Sequence, residues 1–167
     1  MFTQRLADDD VVGAMMECHE RIRTFVEGLR RIAALDDLGD PRAADAAQRC
    51  ARYFREGLPL HGKDEDDSLA PRLRATHPGA DVESALARMT AQHGEMEEIL
   101  PRLLPMLDAI AAGERPDHEA LRGVVARFTA LMIDHVELEE AVIFPACGAI
   151  PSAERTRIRV EMRERRA

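Results

Sequence analysis

Apolar residues recur at three- and four-residue steps along most of this chain, the period of a helix with one buried face. Val12, Met15, His19, Ile22 and Val26 form the first stripe, behind candidate caps Asp8 to Asp10, and predict a helix over 9–36 that ends at Gly39-Asp40-Pro41. Pro41 opens a second helix over 41–75, with Phe54, Leu58, His61, Glu65 and Leu69 on its stripe, and His77-Pro78-Gly79 reads as a turn. A third helix over 80–112 carries Leu86, Met89, His93, Met96, Leu100, Leu103 and Leu107; Pro101 and Pro105 lie inside it, so a kink or break is expected there. A fourth over 117–149 carries Leu121, Val124, Phe128, Met132, His135, Glu139 and Val142, and Ser152 caps a short fifth helix over 152–165. No segment shows the period-two alternation and turn chemistry of a hairpin.

Four long helices with short turns predict an all-α, up-down-up-down four-helix bundle with a short C-terminal fifth helix. The domain division is 1–150 for the bundle and 151–167 for the basic terminal helix. Composition agrees: aromatics are 4% with no Trp, and the length of 167 residues suits one domain with a real core. A net charge of -8 argues against a nucleic-acid surface. The six Arg against two Glu in 155–166 read as a solvated terminal helix, the alternative being a contact with an acidic partner. Three cysteines, Cys18, Cys50 and Cys147, show no Cys-x-x-Cys spacing and read as reduced thiols of a cytoplasmic protein. The N-terminal MFTQRLADDD lacks the apolar core of a signal peptide, and no run is long enough to span a membrane.

The polar residues on the stripes change the picture. His61-Gly62-Lys63-Asp64-Glu65-Asp66 and His135-Val136-Glu137-Leu138-Glu139-Glu140 both read His-x3-Glu-acidic-x4-Pro, ending at Pro71 and Pro145. The interval from His61 to His135 is also the interval from His19 to His93, so each of these earlier histidines precedes its own His-x3-Glu by the same stretch. The chain therefore reads as two similar halves. A lone His on an apolar face is usually a core histidine with one hydrogen bond. Four of them, one per helix, with Glu65 and Glu139 one turn after a His on the same face, are not ordinary core residues. An unpaired carboxylate in an apolar core costs several kcal/mol, and no Lys or Arg occupies the inner stripes to neutralise it. A metal would, and imidazole with carboxylate suits iron, manganese or zinc. Six inward ligands exceed the four of a structural zinc site and suggest two ions with carboxylates between them. The Glu-x-x-His of ferritin-like di-iron proteins and the His-Glu-x-x-His of zincins are both absent.

The set His19, His61-x3-Glu65, His93, His135-x3-Glu139 resembles the hemerythrin-like (HHE cation-binding) family. HVELEEAVIFP, residues 135–145, nearly completes the family phrase His-x3-Glu-Glu-x3-Phe-Pro, and HGKDEDDSLAP, residues 61–71, is a looser copy with Ala70 at the Phe position. The resemblance covers roughly residues 10–146. It implies a bundle around two non-haem iron ions with an oxo or hydroxo bridge, for which zinc or manganese could substitute. It assigns His19 and His61 to one ion, His93 and His135 to the other, and Glu65 and Glu139 as bridges. Oxygen carriers of the family have His-x3-His on the third helix and end with His-x4-Asp. This chain has His93-x3-Glu97 and His135-x3-Glu139, with Arg23 standing in the first half where Glu97 stands in the second. Glu97 is accordingly expected to supply an anionic ligand, the alternative being an exposed carboxylate.

The functional expectation is a di-iron protein that binds or reduces O2, peroxide or NO, by redox chemistry or sensing rather than oxygen transport. The alternative is iron storage, delivery or sensing without turnover. The expected partner is a small diatomic or peroxide, with no nucleic acid or membrane, in a monomer or homodimer. Met15, Met89, Met96 and Met132 read as core packing near the ligands or as an apolar pocket controlling access. Cys18 faces away from its neighbour His19 and is not expected to ligate. Tyr53 could hydrogen-bond near the centre, and His77 and His118 read as surface residues.

Overall fold

The structure is a computed structural model, and it describes residues 7–167; the N-terminal stretch read for a leader lies, through residue 6, outside the described residues. Helix α1 spans Val11–Ala33, and the Asp10 carboxylate caps it by accepting the Gly13 N–H at 2.7 Å. Helix α2 is one continuous rod built of α-helical Pro41–Arg52, Leu58–Lys63 and Ala70–Arg74, joined by the wider π-helical turns Tyr53–Gly57 and Asp64–Leu69. Helix α3 spans Ala80–Ala111. Helix α4 spans His118–Leu138 and runs on through a π turn, Glu139–Ile143, into Phe144–Ala146. Helix α5 spans Ser152–Glu164. The fold is an all-α four-helix bundle with a short C-terminal helix, as the periodicity predicts.

The π turns have a common cause. In each, an N–H bonds a carbonyl five residues back: Leu58 to Tyr53, Ala70 to Glu65, Phe144 to Glu139. The next residue is Pro59, Pro71 or Pro145. A proline ring inside a regular turn clashes with the carbonyl four residues earlier, and widening the turn by one residue relieves the clash. The proline that closes each His-x3-Glu-acidic-x4-Pro repeat therefore shapes the backbone that carries Glu65 and Glu139.

Pro101 and Pro105 behave differently. Of the kink or break expected there, the break does not occur: α3 continues as α-helix through both. Both prolines are exposed, on the outer face, so the carbonyls deprived of a donor have water within reach. On the inner face Met96, Ile99, Leu103, Leu107 and Ile110 are buried and hold the helix in register. The helix stops at Gly113, whose φ of +80° lets the Glu114 N–H return to the Ala109 carbonyl at 2.9 Å.

The apolar interior is in two parts. One, centred on Phe54 and Phe128 (themselves equivalent positions of the repeat), holds the C-terminal half of α1, the N-terminal half of α2 and the facing parts of α3 and α4. The other gathers Met15, Leu73, Leu86, Met89 and Ile143 with Ile158 and Met162 of α5. His19, His61, Glu65, His93, His135 and Glu139 form the belt between them. The basic tail differs from a solvated helix: Arg165 Nη1 lies 2.9 Å and Arg166 Nη2 2.5 Å from the buried Asp64 carboxylate, and Arg72 Nη2 lies 2.6 Å from Glu161. Among the described residues no helix is long and apolar enough to cross a membrane.

Candidate metal centre

Four imidazoles and two carboxylates converge at the belt. Glu65 Oε1 lies 2.9 Å from His61 Nε2, and its Oε2 3.1 Å from His93 Nε2. Glu139 Oε2 lies 2.9 Å from His19 Nε2, and its Oε1 3.1 Å from His135 Nε2. Each carboxylate thus turns one oxygen to each half of the repeat. The donor atoms fall into two groups, each closed within 4.8 Å: His19, His61, Glu65 and Glu139, and Glu65, His93, His135 and Glu139. The two glutamates belong to both. All six are buried except His93, whose side chain is 13% exposed.

The polar atoms here satisfy one another only in part: His19 Nε2 is hydrogen-bonded to Glu139 Oε2 and His93 Nε2 to Glu65 Oε2. Both ring nitrogens of His61, Glu65 Oε1 and Glu139 Oε1 are buried without a hydrogen-bond partner. The His61–Glu65 approach at 2.9 Å is close but not aligned as a hydrogen bond. Such orphans are costly in an apolar interior, and lone pairs converging on two points are what a pair of cations would satisfy. The donor set fits: imidazole and carboxylate, no thiolate, four donors for each ion.

The protonation of the pair shows the same strain. Burial opposes charge on Glu65, but His61, His93 and His135 overcome it and hold its carboxyl well below the usual range. Burial, then the Glu65 charge, pushes Glu139 well above the usual range. Without a cation the two carboxylates cannot both ionise freely. Burial likewise lowers His135 to about 4, whereas His93, despite burial, is raised to about 9 by Asp66 and Glu65.

A second ring of residues, missed in the sequence, orients the imidazoles. His19 Nδ1 donates to Glu140 Oε1 at 2.8 Å, and Arg23 holds the other Glu140 oxygen at 2.8 Å. His93 Nδ1 donates to Asp66 Oδ2 at 2.8 Å. His135 Nδ1 donates to Gln92 Oε1 at 3.1 Å, and the Gln92 amide donates to Asp134 at 2.6 Å. The acidic residue after each glutamate in the repeat is therefore the partner of the other half's first histidine. The signal was in the motif, but its meaning required knowing that the halves cross. Cys18 occupies in the first half the position of Gln92 in the second, and it is the corresponding neighbour of His61.

Other expected positions divide. Glu97 is exposed and belongs to neither donor group. The buried line of α3 runs through Gln92, Met96, Ile99 and Leu103; His93 and Glu97 flank it, and Glu97 lies a turn beyond the belt. Tyr53 stacks on Phe25 with centroids 4.1 Å apart, away from the belt. Met15, Met89, Met96 and Met132 are core residues, and Met96 also lines a cavity of about 170 Å³ between α2 and α3 that reaches His61, His93 and His135. His77 is exposed, while His118 is half-buried and donates to the Ala33 carbonyl at 3.0 Å. The thiols of Cys50 and Cys147 are pushed up by burial, to about 11 and about 12.

Fold and site together define a helical-bundle protein with two His/carboxylate clusters that share their glutamates and are placed to hold a pair of metal ions. The sequence model described as hemerythrin HHE cation binding domain matches residues 10–160, and the chain belongs to that family. It is also similar to uncharacterized proteins of Mycobacterium bovis and of two strains of Mycobacterium tuberculosis, 28% identical over 129 residues, 77% of this chain and 48% of each relative. The chain spans about half the length of these curated relatives.

Proposed function

We propose that this chain holds two non-haem iron ions and uses them to bind or reduce a small molecule, O2, peroxide or NO, by redox chemistry or sensing rather than oxygen transport. The observation that carries the reading is the sharing of Glu65 and Glu139 between two otherwise separate histidine pairs. In it, His19 and His61 would hold one ion, His93 and His135 the other, and Glu65 and Glu139 would serve both. Such a pair would supply one-electron redox chemistry at two adjacent ions. The protein's own part is to fix four Nε2 lone pairs. Asp66, Glu140 and Gln92 do this for His93, His19 and His135 by holding the Nδ1 protons, which sets the tautomer and ring angle, while His61 is placed by packing beside Cys18. Zinc or manganese fits the same donors, and iron is preferred on the family pattern.

The departure on α3 supports redox or sensing over transport. Only His93 turns inward there, whereas a carrier would offer a second imidazole where Glu97 stands exposed. A cytoplasmic setting is part of the reading, supported by three buried, unpaired thiols. The test is metal analysis with absorption spectra in air, with reductant and with azide. Two irons per chain with charge-transfer bands that respond to azide are expected; one zinc and a featureless spectrum would overturn the reading. Two irons without any O2, peroxide or NO reactivity would assign the protein to iron storage or sensing instead.

A further inference from the structure

The two halves of the bundle carry twin cavities, and only one reaches the centre. The cavity between α2 and α3 has a volume of about 170 Å³ and is lined by His61, His93 and His135. Its counterpart between α1 and α4 has about 50 Å³, and no imidazole lines it. The correspondence is residue for residue at the offset of the sequence repeat: Gly62 with Val136, Lys63 with Glu137, Met96 with Ile22, and Glu97 with Arg23.

Two of these differences explain why one opening is shut. At Val136, which is 2% exposed, an isopropyl group fills the space that Gly62 leaves free; a Cβ added at Gly62 would meet nothing within 4 Å. Glycine inside a helix is destabilising relative to alanine, so its presence here is explained by space rather than by helix stability. Across the α1/α4 face, Arg23 bonds Glu140 at 2.8 Å and closes the surface over His19. The equivalent pair on the α2/α3 face is Glu97 and Asp66, two carboxylates that cannot join, and Glu97 makes no ion pair among the described residues.

We propose that Gly62 and Glu97 form the gate through which a small uncharged molecule reaches the His93/His135 side of the centre, Gly62 by leaving the passage open and Glu97 by keeping it unbridged and repelling anions. The gate rests on the dinuclear reading for its purpose, though not for its existence. The carboxylates of Glu97 and Asp66 at the mouth outnumber the Lys63 ammonium, so a neutral molecule enters without a penalty that an anion meets.

Xenon pressed into crystals of the full chain as purified tests the passage independently of the metal. Xenon is expected in the α2/α3 cavity of the wild type and absent from it in Gly62→Val. In iron-loaded protein, Gly62→Val is expected to slow azide binding at least tenfold at unchanged iron content, and Gly62→Ala to slow it in part. Glu97→Gln should speed azide binding roughly three- to tenfold at low salt and leave the NO rate unchanged. Xenon in the α1/α4 cavity instead, or wild-type azide rates in both Gly62 variants, would overturn the gate. If the protein takes up no iron, the dinuclear reading fails, and the xenon result alone decides the passage.

Discussion

Nδ1 of His19 lies 2.8 Å from Oε1 of Glu140, a residue on the opposite side of the sequence repeat, and the pairing of His93 with Asp66 repeats it at the same distance. The two halves of the chain thus complete each other's donor groups rather than each building its own cluster. The acidic residue that follows Glu65 or Glu139 holds an imidazole contributed by the other half.

This hold on the imidazole should be measurable as metal affinity. Asp66→Asn and Glu140→Gln keep the shape of the side chain and lose its charge. Each is expected to weaken metal binding by roughly 10- to 100-fold, read by chelator competition, with the bundle still folded by circular dichroism. Wild-type affinity in both variants would show that the two carboxylates are not orienting groups.

Removing the metal should loosen the fold. Ions bound to the native state alone stabilise it by about 4 kcal/mol at a free concentration 1,000 times Kd, and they relieve the orphaned atoms of His61, Glu65 and Glu139. The metal-free protein is expected to melt at a lower temperature. Glu65→Ala, which removes a member of both donor groups, should lower the uptake of both ions rather than one.

Phe54 is fully buried and meets Phe128 edge-on, with ring centroids 5.1 Å apart. Phe54→Ala is expected to cost about 3–5 kcal/mol of unfolding free energy in urea titration. A cost under about 1 kcal/mol would mean that this part of the core collapses around the gap.

Acid should release α5 before it unfolds the bundle. The bond from Arg72, opposed by burial and helped by Ser68, holds the Glu161 carboxyl below its ordinary value of 4.5. A lowered carboxyl contributes stability above the unfolded value, and that contribution is lost as pH falls through the lowered one. Protection of the Ser152–Glu164 amides, taken relative to their intrinsic exchange at each pH, is therefore expected to fall below about pH 4.5, ahead of α1 to α4. In Glu161→Gln it should already be low at pH 7 and depend less on pH.

Sequence alone determined the four long helices and the short fifth, because apolar spacing and breakers such as Gly39-Asp40-Pro41 and Gly113 act within a few residues. It also named the six side chains that meet, together with Glu97, which does not join them. A His and a Glu four apart share a helix face, and the constant offset between the two halves puts both faces at the same level of the bundle. What the spacing could not decide was anything that depends on distances between helices. Glu97 lies one turn after His93 just as Glu65 lies one turn after His61, yet it stands outside the belt, because the buried line of α3 passes beside it through Gln92 and Met96. Arg165 and Arg166 read as solvated cations until α5 brings them onto the buried Asp64. Gly62 and Val136 are the same position in the repeat, and only the packing of α2 on α3 and of α4 on α1 makes one an opening and the other a plug. Local periodicity selects which residues face inward, and the packing of one helix on another selects which of those touch.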